Sequence, residues 1–223
     1  ARVSGENNCL TNIDFPAEQL EFVKKIKALG KKTVGVMSFG RPVAMGEAEQ
    51  YFDAILYAWQ SGSCASHSIV DIIYGRVNPS GKLPMTFPRT TGQIPIYYNY
   101  PPFFGNGMAY YGEGENYLDC RSKPMYPFGY GLSYTQFEYS ELCCENGTLT
   151  LEELQSGKKF KVSTMLTNTG NCAGKETVQC YISDLAASMT RPIKELKGFS
   201  KVFLNQGESR EVMFELGFDE LGF

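Results

Sequence analysis

From residue 135 onward the chain runs in short, partly alternating segments cut by turn residues, and nothing before that point has the same texture. The segments are FEYSELCCE, TLTLEEL, KKFKVSTMLTNTG, KETVQCYISD, KELKGFSKVFL and SREVMFELGF. Asn146-Gly147, Ser156-Gly157, Thr169-Gly170-Asn171 and Asn205-Gln206-Gly207 separate them. A period of two puts alternate side chains on one face of a strand, so several such runs at this spacing predict an all-β sandwich. Upstream the period is different. Leu20, Val23, Ile26 and Leu29 share one face of a helix over 16–29, with Pro16 in its first turn and Gly30 after its end. Residues 33–39 and 53–59 are short apolar runs of strand type, and 65–74 reads as a second helix stopped by Gly75. Helix, strand, strand, helix with short links predicts an α/β layer with a mostly parallel sheet and flanking helices. The chain is therefore read as two units, 1–134 and 135–223. Between the α/β elements and the β-region lies 76–134, which holds most of the eleven prolines and fourteen tyrosines and shows no sustained period. A stretch of that length is expected to be a functional loop or a wrap over another domain.

Composition closes off several kinds of chemistry. The net charge of −3 gives no electrostatic footprint for nucleic acid. No stretch approaches the ~18 apolar residues that span a bilayer, so no membrane partner is expected. The only histidine, His67, rules out HExxH sites and two-histidine metal centres, and neither metal nor cofactor is expected. The seven cysteines have no CxxC spacing and are read as reduced and mostly structural. That favours a cytoplasmic setting and leaves a secreted or periplasmic one open. Asn146-Gly147-Thr148 fits the glycosylation triplet, a pattern that chance often produces. The opening ARVSGENN has neither an apolar leader nor an initiator Met, and a processed or excised piece is expected.

One series of motifs is far more specific. Ser4-Gly5-Glu6 is followed ten residues after Glu6 by the helix-opening Pro16. Then come Gly40-Arg41-Pro42, Asp53-Ala54-Ile55-Leu56 and a Trp59-x-x-Gly62 turn, then NPSGKLPMTFPR over 78–89 and GQIPIYYN over 92–99. YPFGYGLSYTQF follows over 126–137, and the β-region adds Asn168-Thr169-Gly170, Met189-Thr190-Arg191-Pro192 and Glu195-Leu196-Lys197-Gly198-Phe199. In order and spacing these resemble the C-terminal part of glycoside hydrolase family 3, the β-glucosidase and β-xylosidase group. The resemblance covers essentially the whole chain. It implies the second half of an α/β sandwich domain over 1–134 and a fibronectin type III-like domain, an immunoglobulin-type sandwich, over 135–223. It also implies a (β/α)8-type barrel, absent from this chain, that carries a nucleophilic Asp. The substrate class implied is a β-glucoside or β-xyloside oligosaccharide cleaved from its non-reducing end. Retaining hydrolysis needs two carboxylates ~5–5.5 Å apart, one attacking the anomeric carbon and one serving as acid and then base. On the resemblance, Glu6 is the acid/base residue. Both ends look cut, and the last strand of the β-domain is expected to lie beyond Phe223.

The sequence also departs from the family. Leu10 and Asn12 stand where an Arg and an Asp usually follow the acid/base Glu, and Ser63-Cys64-Ala65-Ser66 replaces a Glu with small glycines after Trp59. Asn116 begins a tract, Asn116-Tyr117-Leu118-Asp119, in which relatives often begin with Arg. These departures favour a second reading, a non-catalytic carbohydrate-binding or docking module. A third reading, a serine hydrolase, would need His67 with Ser66 or Ser68 and Asp71. Arg41 is read as part of a structural ion pair more than as a sugar contact, Asp53 as a turn acceptor and Asp119 as structural. Tyr97, Tyr98, Tyr100, Phe103, Phe104, Tyr110 and Tyr111 offer faces for sugar stacking or for packing of the long loop. Lys24-Lys25 and Lys31-Lys32 are read as a solvated helix face and turn.

Overall fold

The computed structural model describes residues 4–5, 8–101, 117–145 and 147–222. Two compact units emerge, one of Ala1–Ile73 with Leu83–Tyr130 and one of Tyr74–Lys82 with Gly131–Phe223.

The first unit opens with a two-rung antiparallel ladder, β1 (Ser4–Gly5) on β2 (Asn8–Cys9). Helix α1 (Ala17–Lys27) follows directly on Pro16, and Gly30 adopts φ +69, as the left-handed end of a helix requires. Strands β3 (Val34–Met37) and β4 (Ala54–Tyr57) pair in parallel, Val34 opposite Ala54 through Met37 opposite Tyr57. A 3-10 turn, Gly46–Tyr51, and helix α2 (Ala65–Ile73) complete the layer. The parallel pairing and both helices agree with the sequence reading. Met37, Val43, Met45 and Ala48 form the buried core, with Phe15, Leu20, Phe39, Phe52, Ile55, Tyr57 and Met125 packed on it.

Where it is described, the stretch with no period has a 3-10 turn at Thr91–Gln93 and an isolated bridge between Phe87 and Tyr126, and no helix or strand of several residues. Its fixed points are a few buried side chains. Phe87, 1% exposed, is ringed edge-on by Tyr57, Trp59 and Tyr126 at centroid distances of 4.8, 5.9 and 6.4 Å. Buried Gln93 accepts from Arg89 N at 2.6 Å and donates to Arg121 O at 2.8 Å, so its amide replaces the ladder that a strand would supply.

The second unit is an antiparallel sandwich. One sheet has the order β5 (Phe137–Cys144), β6 (Phe160–Asn168), β9 (Ser209–Leu216), and the other pairs β7 (Gly174–Ile182) with β8 (Glu195–Leu204). Leu166 and Val212 from the first sheet meet Val178, Val202 and Leu204 from the second in one core. One segment departs from its reading as a strand. Within TLTLEEL lies helix α3 (Leu151–Gln155). Thr150 Oγ1 accepts from Glu153 N at 3.2 Å while Glu153 Oε2 accepts from Thr150 N at 2.9 Å, a capping box that outweighs the short alternation. A last short helix, α4 (Phe218–Leu221), follows β9.

The NPSGK and GLSYT motifs are joined within this unit. Asn78 Oδ1 accepts from Ser133 Oγ at 3.0 Å and from Tyr134 N at 2.9 Å, and Asn78 Nδ2 donates to Ala173 O at 3.4 Å. Lys82 Nζ donates to Gly131 O at 2.9 Å and pairs with the largely buried Glu176 at 3.1 Å. A Cβ on Gly131 would collide with Gly81 O, and one on Gly174 with the Asn78 amide. Fully buried Asn168 accepts from Thr135 Oγ1 at 2.7 Å and donates to Cys172 O and Leu204 O. The most recognisable residues of the chain are thus packing residues of the β-unit.

Candidate functional site

Glu6 lies outside the described residues, so its site is built from what flanks it. On one side is the β1–β2 ladder, with Ser4 opposite Cys9 and Gly5 opposite Asn8. Only Glu6 and Asn7 separate the inner pair in the sequence. On the other side the segment 8–14 runs into the core of the first unit. Phe15 N donates to Ala44 O and Ala44 N to Ile13 O, both at 2.9 Å, which ties the segment to the chain just beyond β3.

Two side chains hold this segment in place. Arg41 Nη1 donates to Leu10 O at 2.6 Å and lies 2.7 Å from Cys9 Sγ, and its Nη2 donates to Asn12 O at 3.3 Å. Among the described residues these partners are one thiol and two main-chain oxygens. Thr91 is the second anchor. Its hydroxyl lies 2.9 Å from Asn12 Oδ1, 3.0 Å from Asp14 Oδ1 and 3.0 Å from Ile13 N, and its own N–H donates to Asp14 Oδ1 at 3.0 Å. Asn12 Oδ1 also accepts from Asp14 N at 2.8 Å. The asparagine that departs from the family pattern is therefore part of a turn. Thr91 and Asp14 were not singled out by the sequence, because they meet across 77 positions and share no local signal.

Below the anchors is an aromatic wall. The Tyr57 hydroxyl donates to Arg41 O, and its ring meets Trp59 and Phe87, both at 4.8 Å. Burial holds the Tyr57 phenol well above its ordinary range. Burial does the same for Tyr126, reinforced by the Glu49 carboxylate at 3.1 Å. Both phenols stay neutral and act as donors and packing, not as bases. Trp59 has φ +51, the left-handed region that a bulky residue seldom adopts. Ser38 Oγ donates to Trp59 O at 3.0 Å and helps to hold that turn.

The other candidates fall into place individually. Asp53 accepts from Lys27 Nζ at 2.7 Å, Lys32 Nζ at 2.9 Å and Thr33 N at 2.9 Å, as its reading as a turn acceptor expects. The Lys27 ammonium first, then the Thr33 N–H and Lys32, hold its carboxyl far below the usual carboxylate range. Lys27 and Lys32 are therefore tied to Asp53, while Lys24 pairs with Glu21 and Glu47. His67 is exposed on α2. Ser66 and Ser68 adjoin it on the same helix and so diverge from it by about 100° each. Cys64 and Asp119 are exposed. Tyr98 stacks on Phe128 at 4.3 Å and Tyr97 leans on Tyr100 at 5.5 Å. Phe103, Phe104, Tyr110, Tyr111, Asn116 and Asn146 lie outside the described residues. All seven cysteines are free, and four are exposed, so the reading of them as mostly structural does not hold for Cys9, Cys64, Cys143 and Cys144. Among the described residues no cluster of His, Cys, Asp and Glu could hold a metal, and no helix is long and apolar enough to cross a membrane.

Comparison with known proteins gives this geometry its context. The family model of the glycosyl hydrolase family 3 C-terminal domain matches residues 1–134, and that of the fibronectin type III-like domain matches 176–223. The chain is 41% identical over 223 residues to a periplasmic beta-glucosidase of Salmonella typhimurium, covering 98% of this chain and 28% of that protein. It is 41% identical over 220 residues to a putative beta-xylosidase of Formosa agariphila, covering 97% of this chain and 27% of that protein. Among solved structures, the beta-glucosidase of Listeria innocua in complex with glucose superposes with a TM-score of 0.86 at 38% identity, over 98% of this chain and 30% of that one. A β-glucosidase from Erythrobacter marinus superposes with a TM-score of 0.87 at 41% identity, over 99% of this chain and 28% of that one. The chain spans less than a third of the length of these relatives. It is an α/β unit followed by a fibronectin-like sandwich, and it belongs to glycosyl hydrolase family 3, in the region that the family's C-terminal and fibronectin-like domains match.

Proposed function

We propose that the chain contributes the acid/base carboxylate, Glu6, to a retaining exo-acting β-glycosidase, in the first place a β-glucosidase acting on terminal non-reducing β-D-glucosyl residues. The nucleophilic carboxylate comes from a barrel region outside these 223 residues. The observation that carries the reading is the 41% identity, over 98% of the chain, to a protein named as a beta-glucosidase. The equal identity to a putative beta-xylosidase keeps the xyloside as the second substrate to be measured.

In this mechanism the nucleophile bonds to the anomeric carbon as the bond to the glycosidic oxygen breaks. The Glu6 carboxyl gives its proton to that departing oxygen. The resulting carboxylate then takes a proton from water as the water oxygen displaces the enzyme carboxylate, and the configuration is retained. Arg41 and Thr91 hold the segment that continues from Glu6, and the half-buried phenols of Tyr57 and Tyr126 take no part in proton transfer. Glu6 belongs to the α/β domain read over 1–134, and the β-domain read over 135–223 supplies no group to the reaction. The free and partly exposed thiols support a reducing, cytoplasmic setting, and recovery of the enzyme in a periplasmic extract would overturn that part of the reading.

The test joins residues 1–223 to the remainder of the Salmonella enzyme, in place of the matching region. Hydrolysis of 4-nitrophenyl β-D-glucoside with a β-configured first product, followed by NMR, is the expected result. Sugar binding with no hydrolysis would mark the chain as a binding module instead. Inverted product would exclude the retaining mechanism.

A further inference from the structure

We propose that Tyr74–Lys82 is a strap on which the second unit depends for its stability, so that the fibronectin-like sandwich is a discontinuous folding unit and not a module that begins at residue 135. In the chain the segment stands between α2 and Leu83, yet it belongs to the compact unit of Gly131–Phe223. Pro79 has no N–H for a strand ladder, and side chains make the contacts. Asn78 Oδ1 accepts from Ser133 Oγ and Tyr134 N at 3.0 and 2.9 Å, and its Nδ2 donates to Ala173 O at 3.4 Å. Ser80 O accepts from Thr177 Oγ1 at 3.0 Å. Lys82 Nζ donates to Gly131 O at 2.9 Å and pairs with Glu176 at 3.1 Å. Three alternate residues of the strap thus reach the chain that enters β5 and the first half of β7.

The Lys82 end is the pin. The side chains of Lys82 and Glu176 are only 16% and 11% exposed. Glu176 Oε1 receives the Lys82 ammonium and also accepts from the Tyr139 hydroxyl at 3.1 Å. Tyr139 lies on β5 in one sheet and Glu176 on β7 in the other, so one carboxylate joins the strap to both sheets. Burial first, then the Glu176 charge, holds the Tyr139 phenol above its ordinary range, and it stays a neutral donor. The cation at Glu176 therefore comes from the strap. A buried carboxylate that loses its cation destabilises a fold by more than the intact pair stabilises it, so departure of the strap would leave Glu176 as a liability inside the sandwich. The fit is also steric. A Cβ on Gly131 would collide with Gly81 O, and one on Gly174 with the Asn78 amide, so the β-unit keeps glycines where the strap lies against it.

The experiment is amide hydrogen exchange, read by mass spectrometry, on the chain 1–223 as wild type, Asn78→Ala, Lys82→Met and Gly131→Ala. The first two remove strap contacts, and the third wedges the strap away without removing any of its polar groups. Each is expected to speed exchange in β6 and β7 about tenfold or more and to change β3 and β4 of the first unit less than about threefold. Val77→Ala is the control, since that strap side chain stands 51% exposed, and it is expected to leave both regions unchanged. Lys82→Met combined with Glu176→Gln is expected to exchange more slowly in β7 than Lys82→Met alone, because the stranded charge is gone. Should the stronger variants not accumulate, Thr177→Val removes only the bond to Ser80 O and is expected to speed β7 exchange a few-fold, again sparing β3 and β4. Unchanged exchange in β7 across the strap variants would overturn the proposal. So would equal acceleration in both units, which would make the strap a support of the whole chain and not a component of the sandwich.

Discussion

Asp53 shows how a single residue of the family pattern earns its place without touching a substrate. Two ammonium groups and the Thr33 N–H converge on one carboxylate at the start of β4 and tie the end of α1 and the turn after it to that strand. Because its pKa is lowered in the folded chain, its stabilisation is complete above the unfolded carboxyl's value of about 3.9 and is lost as pH falls below it. Asp53→Asn is expected to melt at a lower temperature than the wild type at pH 7, with the gap narrowing steadily from pH 5 to pH 2. A gap that is constant with pH would show that the contacts act by shape and not by charge. Asp53 was legible as a structural acceptor because it stands at a strand start. Arg41 was only half legible. The Gly-Arg-Pro motif marks a fixed arginine, yet its partners lie 29 to 32 positions away, and two of the three are main-chain oxygens, which no side-chain pattern announces.

At the scale of elements the period of the sequence was a sound guide wherever burial on one face dictated it. Helix α1, both parallel strands and the strands of the β-unit follow from their apolar spacing. The failure at TLTLEEL has a local cause. Four residues of alternation are weak evidence, whereas Thr150 and Glu153 satisfy each other's backbone N–H and start a helix. Two substitutions separate these kinds of support. Thr150→Ala is expected to cost about 1 kcal/mol in a denaturant titration, as loss of an N-cap does. Leu166→Ala, at a position with no exposed surface between the two sheets, is expected to cost about 2–5 kcal/mol. Equal costs would mean that the sandwich is not held by its core in the way that the packing of Leu166 with Val178, Val202, Leu204 and Val212 implies. The proline- and tyrosine-rich stretch was not legible at this scale, since its order comes from Phe87 and Gln93 and not from any period.

For the whole molecule, the order of motifs along the chain carried more than any unit alone. The NPSGK and GLSYT segments looked like functional signatures, and their residues prove to be joints between Asn78, Lys82, Glu176 and the glycines that let the backbone pass. What they revealed was descent, and through descent the chemistry expected at Glu6. That chemistry needs a second carboxylate from outside this chain, so the account is tested in the joined enzyme and not in the isolated piece. The decisive measurement is steady-state hydrolysis of phenyl β-D-glucoside by residues 1–223 joined to the remainder of the Salmonella β-glucosidase, as wild type and as Glu6→Gln. Loss of a general acid predicts a fall in kcat/KM of about 10²- to 10⁴-fold in the variant. Turnover equal to that of the wild type would contradict the assignment of Glu6 as the acid/base residue.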